Sequence, residues 1–193
     1  GDSQANIGVG TGFDCLDDWL PWSGWPLGAL TEILVDGAGV GELELILPAL
    51  ASLTQGDRWV AWVAPPYIPY APALAARGLK LNRVLCVGCS ERRCSPLDYL
   101  WAAEQLLRFT ACSATLIWLE SYPQQERILR RLQAAAEAGG SWGVVFRAAT
   151  VATRSSPVAL RLELQARTEL EQGARVKILK CRGRAPSNMV LDL

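Results

Sequence analysis

The sequence predicts an α/β domain: a mostly parallel central sheet flanked by helices, with an antiparallel extension at its C-terminal end. Three observations predict it. Short, almost wholly apolar runs such as WVAWV and ATLIWL alternate with segments of helical period, the pattern of buried strands covered on both faces. Most runs end at glycine or proline, which punctuate such elements. The last three strand-like runs instead alternate apolar and polar residues, as half-exposed strands do. A chain of 193 residues is long enough for one such domain with its own core.

Residues 30–35 (LTEILV) read as the first central strand, and the glycine turn DGAGVG follows. Residues 42–53 read as a helix with Leu43, Ile46, Leu47 and Leu50 on one face, kinked or shortened by Pro48. Residues 58–64 form the next strand, and 65–72 (PPYIPYAP) a stiff aromatic loop. A short helix at 73–77 stops near Gly78. Strands are expected at 84–87, 114–119 and 142–147, and helices at 96–109 and 124–138, the latter stopped by Gly139 and Gly140. Residues 158–165, 175–180 and 189–193 supply the alternating runs. The chain therefore divides into a lead-in, 1–29, and a domain, 30–193. Of eight tryptophans, Trp59, Trp62, Trp101, Trp118 and Trp142 are expected in the core, while Trp19, Trp22 and Trp25 are expected to cap the sheet.

Composition excludes several classes. Half the residues are apolar, which rules out a disordered chain. No apolar run reaches the roughly 18 residues of a membrane span. The opening GDSQANIGVGTGFD has no basic end and no apolar stretch, so no secretory leader is expected. Its start at Gly1 points to further residues upstream. A cytoplasmic protein with reduced thiols follows. Cys86, Cys89 and Cys94 offer three thiols where zinc wants four ligands, and the chain has no histidine, so no metal site is expected. Charge is uneven. Residues 1–57 hold nine acids and no Lys or Arg, while residues 147–193 hold nine bases and four acids. A dipolar molecule favours head-to-tail contacts or a basic patch.

The turn after the first strand has the layout of a phosphate-binding loop, in which backbone amides and a helix N-terminus cradle phosphates. A working loop reads GxxxxGK followed by Ser or Thr. Here Asp36 stands at the first glycine, beside Gly37; Gly39 and Gly41 follow, and Gly41 fits the second glycine. Glu42 replaces the lysine and Leu43 the hydroxyl residue. A carboxylate at ~4 Å from a phosphate costs ~4 kcal/mol at an effective dielectric near ~20. The loop is thus read as degenerate, with no nucleotide, no cofactor and no catalytic residue expected.

The order of segments resembles the RecA core over roughly residues 11–193. TGFDCLDDWLPWSGWPLGALTEIL is similar to its lead-in and first strand, and VKILKCRGRAPSNMVLDL to its closing hairpin. Where that family carries a catalytic glutamate, Pro65 and Pro66 stand; where it carries a magnesium-organising aspartate, Leu119 stands, followed by Glu120. The blocks GWPLGALTEIL, GELELILPALA, WVAPPYIPYAPALAARGL, AAEAGGSWGVVFR and SSPVALRLEL resemble the ImuA family. That resemblance implies a non-catalytic accessory protein of damage-induced translesion DNA synthesis. Its implied partners are an ImuB-like scaffold, RecA and an error-prone replicative-type polymerase. The blocks ELILPALASLTQGDRWVAWVAPP and WLES also resemble the SulA family, which implies the alternative, a cell division inhibitor that binds FtsZ. The long lead-in and the basic hairpin favour the first reading.

Three surfaces are candidates for binding. Tyr67 and Tyr70 on the proline-rich loop suit protein recognition, because rigid aromatics lose little entropy on ordering; the competing reading packs the loop on its own sheet. Arg147 and Arg154 flank or lie in the 148–157 loop, and two bases there give weak DNA binding at most. Arg175, Lys177, Lys180, Arg182 and Arg184 cluster within ten residues. On a strand, 175 and 177 share one face, with 180, 182 and 184 on the other or in a turn. They would contact phosphates or an acidic partner, or simply guard a sheet edge.

Overall fold

The computed structural model describes residues 8–37, 41–88, 95–119, 125–166 and 174–191. In chain order the elements are β1 (Gly8–Val9), α1 (Asp14–Trp19), β2 (Trp25–Pro26), β3 (Ala29–Val35), α2 (Leu47–Thr54), β4 (Trp59–Val63), α3 (Ala71–Ala76) and β5 (Val84–Val87). Then come α4 (Pro96–Arg108), β6 (Cys112–Trp118), α5 (Gln125–Gly139), β7 (Trp142–Ala148), β8 (Leu160–Ala166), β9 (Ala174–Cys181) and β10 (Ser187–Leu191). β1 and β2 pair as a small antiparallel ribbon.

The main sheet has eight strands in the order β10-β9-β8-β3-β7-β6-β4-β5. β8, β3, β7, β6, β4 and β5 run parallel, β9 runs antiparallel to β8, and β10 runs antiparallel to β9. The fold is therefore α/β with a mostly parallel mixed sheet between helices. β8 departs from the expected antiparallel extension, since it pairs parallel to β3 and antiparallel only to β9. Its polar positions misled the reading: Arg161 is a buried residue there, not an exposed one.

Each sheet face carries an apolar layer. Leu16, Leu20, Trp25, Leu50, Trp62 and Trp142 belong to one, and Leu30, Val63, Leu107 and Leu132 to the other. The lead-in is part of the first layer. Trp25 stacks on Trp142 with ring centroids 5.3 Å apart, and Trp19 and Trp22 are half-buried against the same layer. Trp142 Nε1 donates to Thr31 Oγ1 at 3.0 Å, wholly inside the core. Thr31→Val would strand that N–H, and we expect it to lower stability by about 1–3 kcal/mol in urea unfolding followed by tryptophan fluorescence.

Helix ends follow local chemistry. α4 starts with a capping box: Ser95 Oγ accepts from the Asp98 amide while the Asp98 carboxylate accepts from the Ser95 amide. α5 ends where Gly140 takes φ +62°, a left-handed position that suits glycine. Gly139 admits no side chain, because a Cβ there would lie 2.1 Å from the Leu107 carbonyl oxygen. α2 begins at Leu47 and not at residue 42. Pro48 sits in its first turn, where the missing N–H costs nothing, and so it starts a helix shorter than 42–53; of the kink or shortening expected from it, the shortening is what occurs. Trp101 is also placed differently from expectation: it is 64% exposed on the outer side of α4. No helix among the described residues is long and apolar enough to cross a membrane.

Candidate protein-interaction site

The C-terminal ends of parallel strands are where α/β sheets present their loops. β3 and β4 deliver two such segments here, residues 36–46 and 64–70. In the first, Asp36 and Gly37 are exposed, Gly41 takes φ +94°, and Glu42 is buried. Gly39 lies outside the described residues. The amides after Gly41 turn back on their own segment: Leu45 N–H donates to Gly41 O, and those of Ile46 and Leu47 to Leu43 O. Leu43 packs against the core.

The second segment leaves β4 through Ala64, a non-glycine residue at φ +51°. Such a conformation costs of order 1–3 kcal/mol and is held only by its surroundings. The Ala64 amide donates to Val87 O at 2.9 Å, which ties the turn to β5. Pro65 and Pro66 then stiffen the chain, and Tyr67, Ile68 and Tyr70 stand 75%, 74% and 73% exposed. The reading of this loop as packed on its own sheet is thus set aside for its outer three side chains. α3 anchors the far end through Leu74, which is buried. Arg77 at its C-terminus pairs with Glu44 of the preceding segment.

Between the two segments lies a pocket of about 260 Å³, with Leu43, Leu47, Trp62, Tyr70 and Leu74 in its walls and the Glu44–Arg77 pair at its side. Small-molecule sites run from about 300 to 1,000 Å³, so this one has room for a partner's side chain rather than a nucleotide. Sequence reading missed the pocket because its walls come from three separate stretches, 43–47, 62 and 69–77. It also missed Ile68, as exposed as the tyrosines; its place between two prolines in PPYIPY was the available signal.

The basic candidates separate. Arg147 is buried and pairs with Glu32 and Gln125, so it cannot meet DNA or a partner, and that expectation is corrected. Arg161 Nε lies 2.8 Å from Glu32 Oε2, an ion pair by distance although the N–H does not aim at that oxygen. The remaining Arg161 donors hold the carbonyls of Val151, Ala152 and Arg154. Burial pushes the Arg161 pKa down, while Glu32 pulls it back up. Arg154 itself is exposed. Arg175, Lys177 and Lys180 share one face of β9, because a register shift past Ile178 returns Lys180 to the side of the other two; Lys180 was expected on the other face or in a turn. Arg182 is exposed in the turn after β9, and the Arg184 guanidinium lies 5.5 Å from the centre of the Trp19 ring. Among the described residues no cluster of Cys, Asp and Glu could hold a metal. Cys15, Cys112 and Cys181 are free thiols, but Cys86 is in a disulfide, contrary to the expected reduced state. Cys89 and Cys94 lie outside the described residues.

Comparison with known proteins gives a consistent result. The family model for cell division inhibitor SulA matches residues 28–143. Cell division inhibitor SulA from Yersinia pestis (strain Pestoides F) is 33% identical over 104 residues, 54% of this chain and 58% of that protein. The same figures hold for cell division inhibitor SulA of Yersinia pseudotuberculosis serotype O:1b (strain IP 31758). The chain thus spans a little over half the length of these curated relatives. These matches overturn the expected role in translesion synthesis and, with it, the expected ImuB-like, RecA and polymerase partners. Of the features that favoured that reading, the closing hairpin lies outside the matched span, and the lead-in overlaps it only at residues 28 and 29.

Proposed function

The chain belongs to the SulA family, and from that premise we propose that it acts as a cell division inhibitor that binds FtsZ through its exposed aromatic loop, without catalysis. One observation carries the proposal. Tyr67, Ile68 and Tyr70 stand in solvent on a loop stiffened by prolines and launched from a left-handed Ala64. Large apolar side chains held out in water are costly to keep unless a partner covers them. Beside them, the pocket offers a recess for one side chain of that partner.

The fold itself reads as a RecA-like core adapted to binding. The βα order from β3 to β7 supports that reading, as do Glu42 and Leu43 at the positions of the phosphate-binding lysine and hydroxyl. A bound ligand at about 100 times its Kd stabilises a protein by about 2.7 kcal/mol, which would raise Tm by roughly 5–10 °C for a chain of this size. We expect millimolar Mg·ATP to leave the melting temperature unchanged. A rise of several degrees would remove the argument for a non-catalytic protein.

The binding test is calorimetric titration of the purified chain into purified FtsZ. The proposal expects a saturable complex with micromolar or tighter Kd. Absence of heat at tens of micromolar protein, checked by co-sedimentation, would refute it.

A further inference from the structure

We propose that the exposed cationic face of β9 and β10 is a second docking surface, and that it takes an acidic, extended protein segment. The two faces of these strands differ sharply. Val176, Ile178 and Leu191 are buried on one side, beneath the layer that includes Leu16 and Leu20. On the other side Arg175, Lys177, Lys180, Asn188 and Val190 are exposed. Strand pairing aligns them: Arg175 lies opposite Gln165 and Val190, and Lys177 opposite Glu163 and Asn188, while Lys180 stands opposite Arg161.

The register shift at β9 concentrates this charge. Without it Lys180 would point to the apolar side; with it three cations stand in a row on one face. Among the described residues of that face Glu163 lies 3.7 Å from Lys177, and the buried Glu32, already shared by Arg147 and Arg161, also acts on Lys180. Arg161 is already held by Glu32 and three carbonyls. Lys180 donates to Ser156 O at 2.6 Å. Its pKa is pushed down by burial first, and then by the neighbouring Arg182 and Arg161. The face is thus cationic and incompletely compensated, which calls for carboxylates or phosphates from outside.

The observations favour a protein over a nucleic acid. Single strands bind where aromatic rings stack their bases, and no aromatic residue stands on this face among the described residues. Exposed Val190 adds an apolar contact at the edge strand, which suits a polypeptide. The surface is also separate from the aromatic loop. Five strand spacings lie between β9 and β4, about 24 Å at ~4.8 Å each, so both could be occupied at once.

The test is fluorescence anisotropy at low salt with a labelled alternating glutamate–alanine peptide, alongside a labelled oligothymidine of equal charge. We expect the peptide to bind, to bind more tightly than the oligothymidine, and to weaken as salt rises. Combining Arg175→Glu with Lys177→Glu should weaken it about tenfold or more, and Lys180→Glu alone by a smaller factor. Arg127→Glu, an exposed position on α5, should leave it unchanged. Matching thermal melts exclude misfolding, since every substituted side chain is exposed. The idea is overturned if the peptide fails to bind, if the double reversal binds as tightly as the parent chain, or if Arg127→Glu loses as much. Tighter binding of the oligothymidine would assign the face to nucleic acid instead. Self-association that vanishes in the double reversal would assign it to a second copy.

Discussion

Replacing Tyr67, Ile68 and Tyr70 together by alanine is expected to weaken FtsZ binding at least about 100-fold while leaving the unfolding midpoint unchanged. Central apolar anchors of an interface cost about 2 kcal/mol or more each when truncated, and each ~1.4 kcal/mol is a factor of ten. Two effective anchors out of three already exceed the stated loss. The same side chains contribute little to folding, because all three stand more than 70% in solvent and surface truncations usually shift stability by under about 0.5 kcal/mol. Titration calorimetry paired with urea unfolding separates the two effects. Binding within about threefold of the parent chain would place the interface elsewhere.

The second large effect is on stability. Glu32 is fully buried between Arg147 and Arg161, which are nearly so. Glu32→Ala would leave two guanidinium groups in the core without their counter-charge, and breaking a buried pair in this way costs about 3–5 kcal/mol. Arg161 also fastens the segment 151–154 through its carbonyls; that segment should loosen with it and become a site of proteolysis. The urea midpoint of Glu32→Ala should fall accordingly, with the slope nearly unchanged. A loss under about 1 kcal/mol would mean that water or the carbonyls already balance the arginines.

Much of the fold is legible in the sequence for a simple physical reason. A parallel strand buried on both faces must be apolar throughout, so WVAWV, ATLIWL and WGVVF announce themselves. The errors fall where one residue type serves two physical roles. Arg161 and Arg147 read as surface charges, yet a single carboxylate from a neighbouring strand allows both to be buried. Lys180, expected on the other face or in a turn, stands beside Arg175 and Lys177 because one shifted pairing inverts a strand's alternation, and nothing local in RVKILK marks it. Pro48 does shorten the helix expected over 42–53, and it does so by beginning it rather than by kinking it.

The candidate site was half legible. The tyrosines in PPYIPY could be named from proline stiffness alone, whereas the pocket needed Leu43, Trp62 and Leu74 brought together from distant positions. Of the two family resemblances in the sequence, the SulA one holds. The lead-in and the basic hairpin favour the other, but the matched span, 28–143, takes in only the last two residues of the lead-in and none of the hairpin.

The most direct test of division inhibition by binding is the sedimentation of FtsZ polymers assembled with GTP, with the purified chain added in increasing amounts. The proposed mechanism expects the pelleted fraction to fall as the chain approaches equimolar amounts, and the Tyr67, Ile68 and Tyr70 triple alanine variant to leave it intact. A pellet that stays constant at excess protein would contradict it.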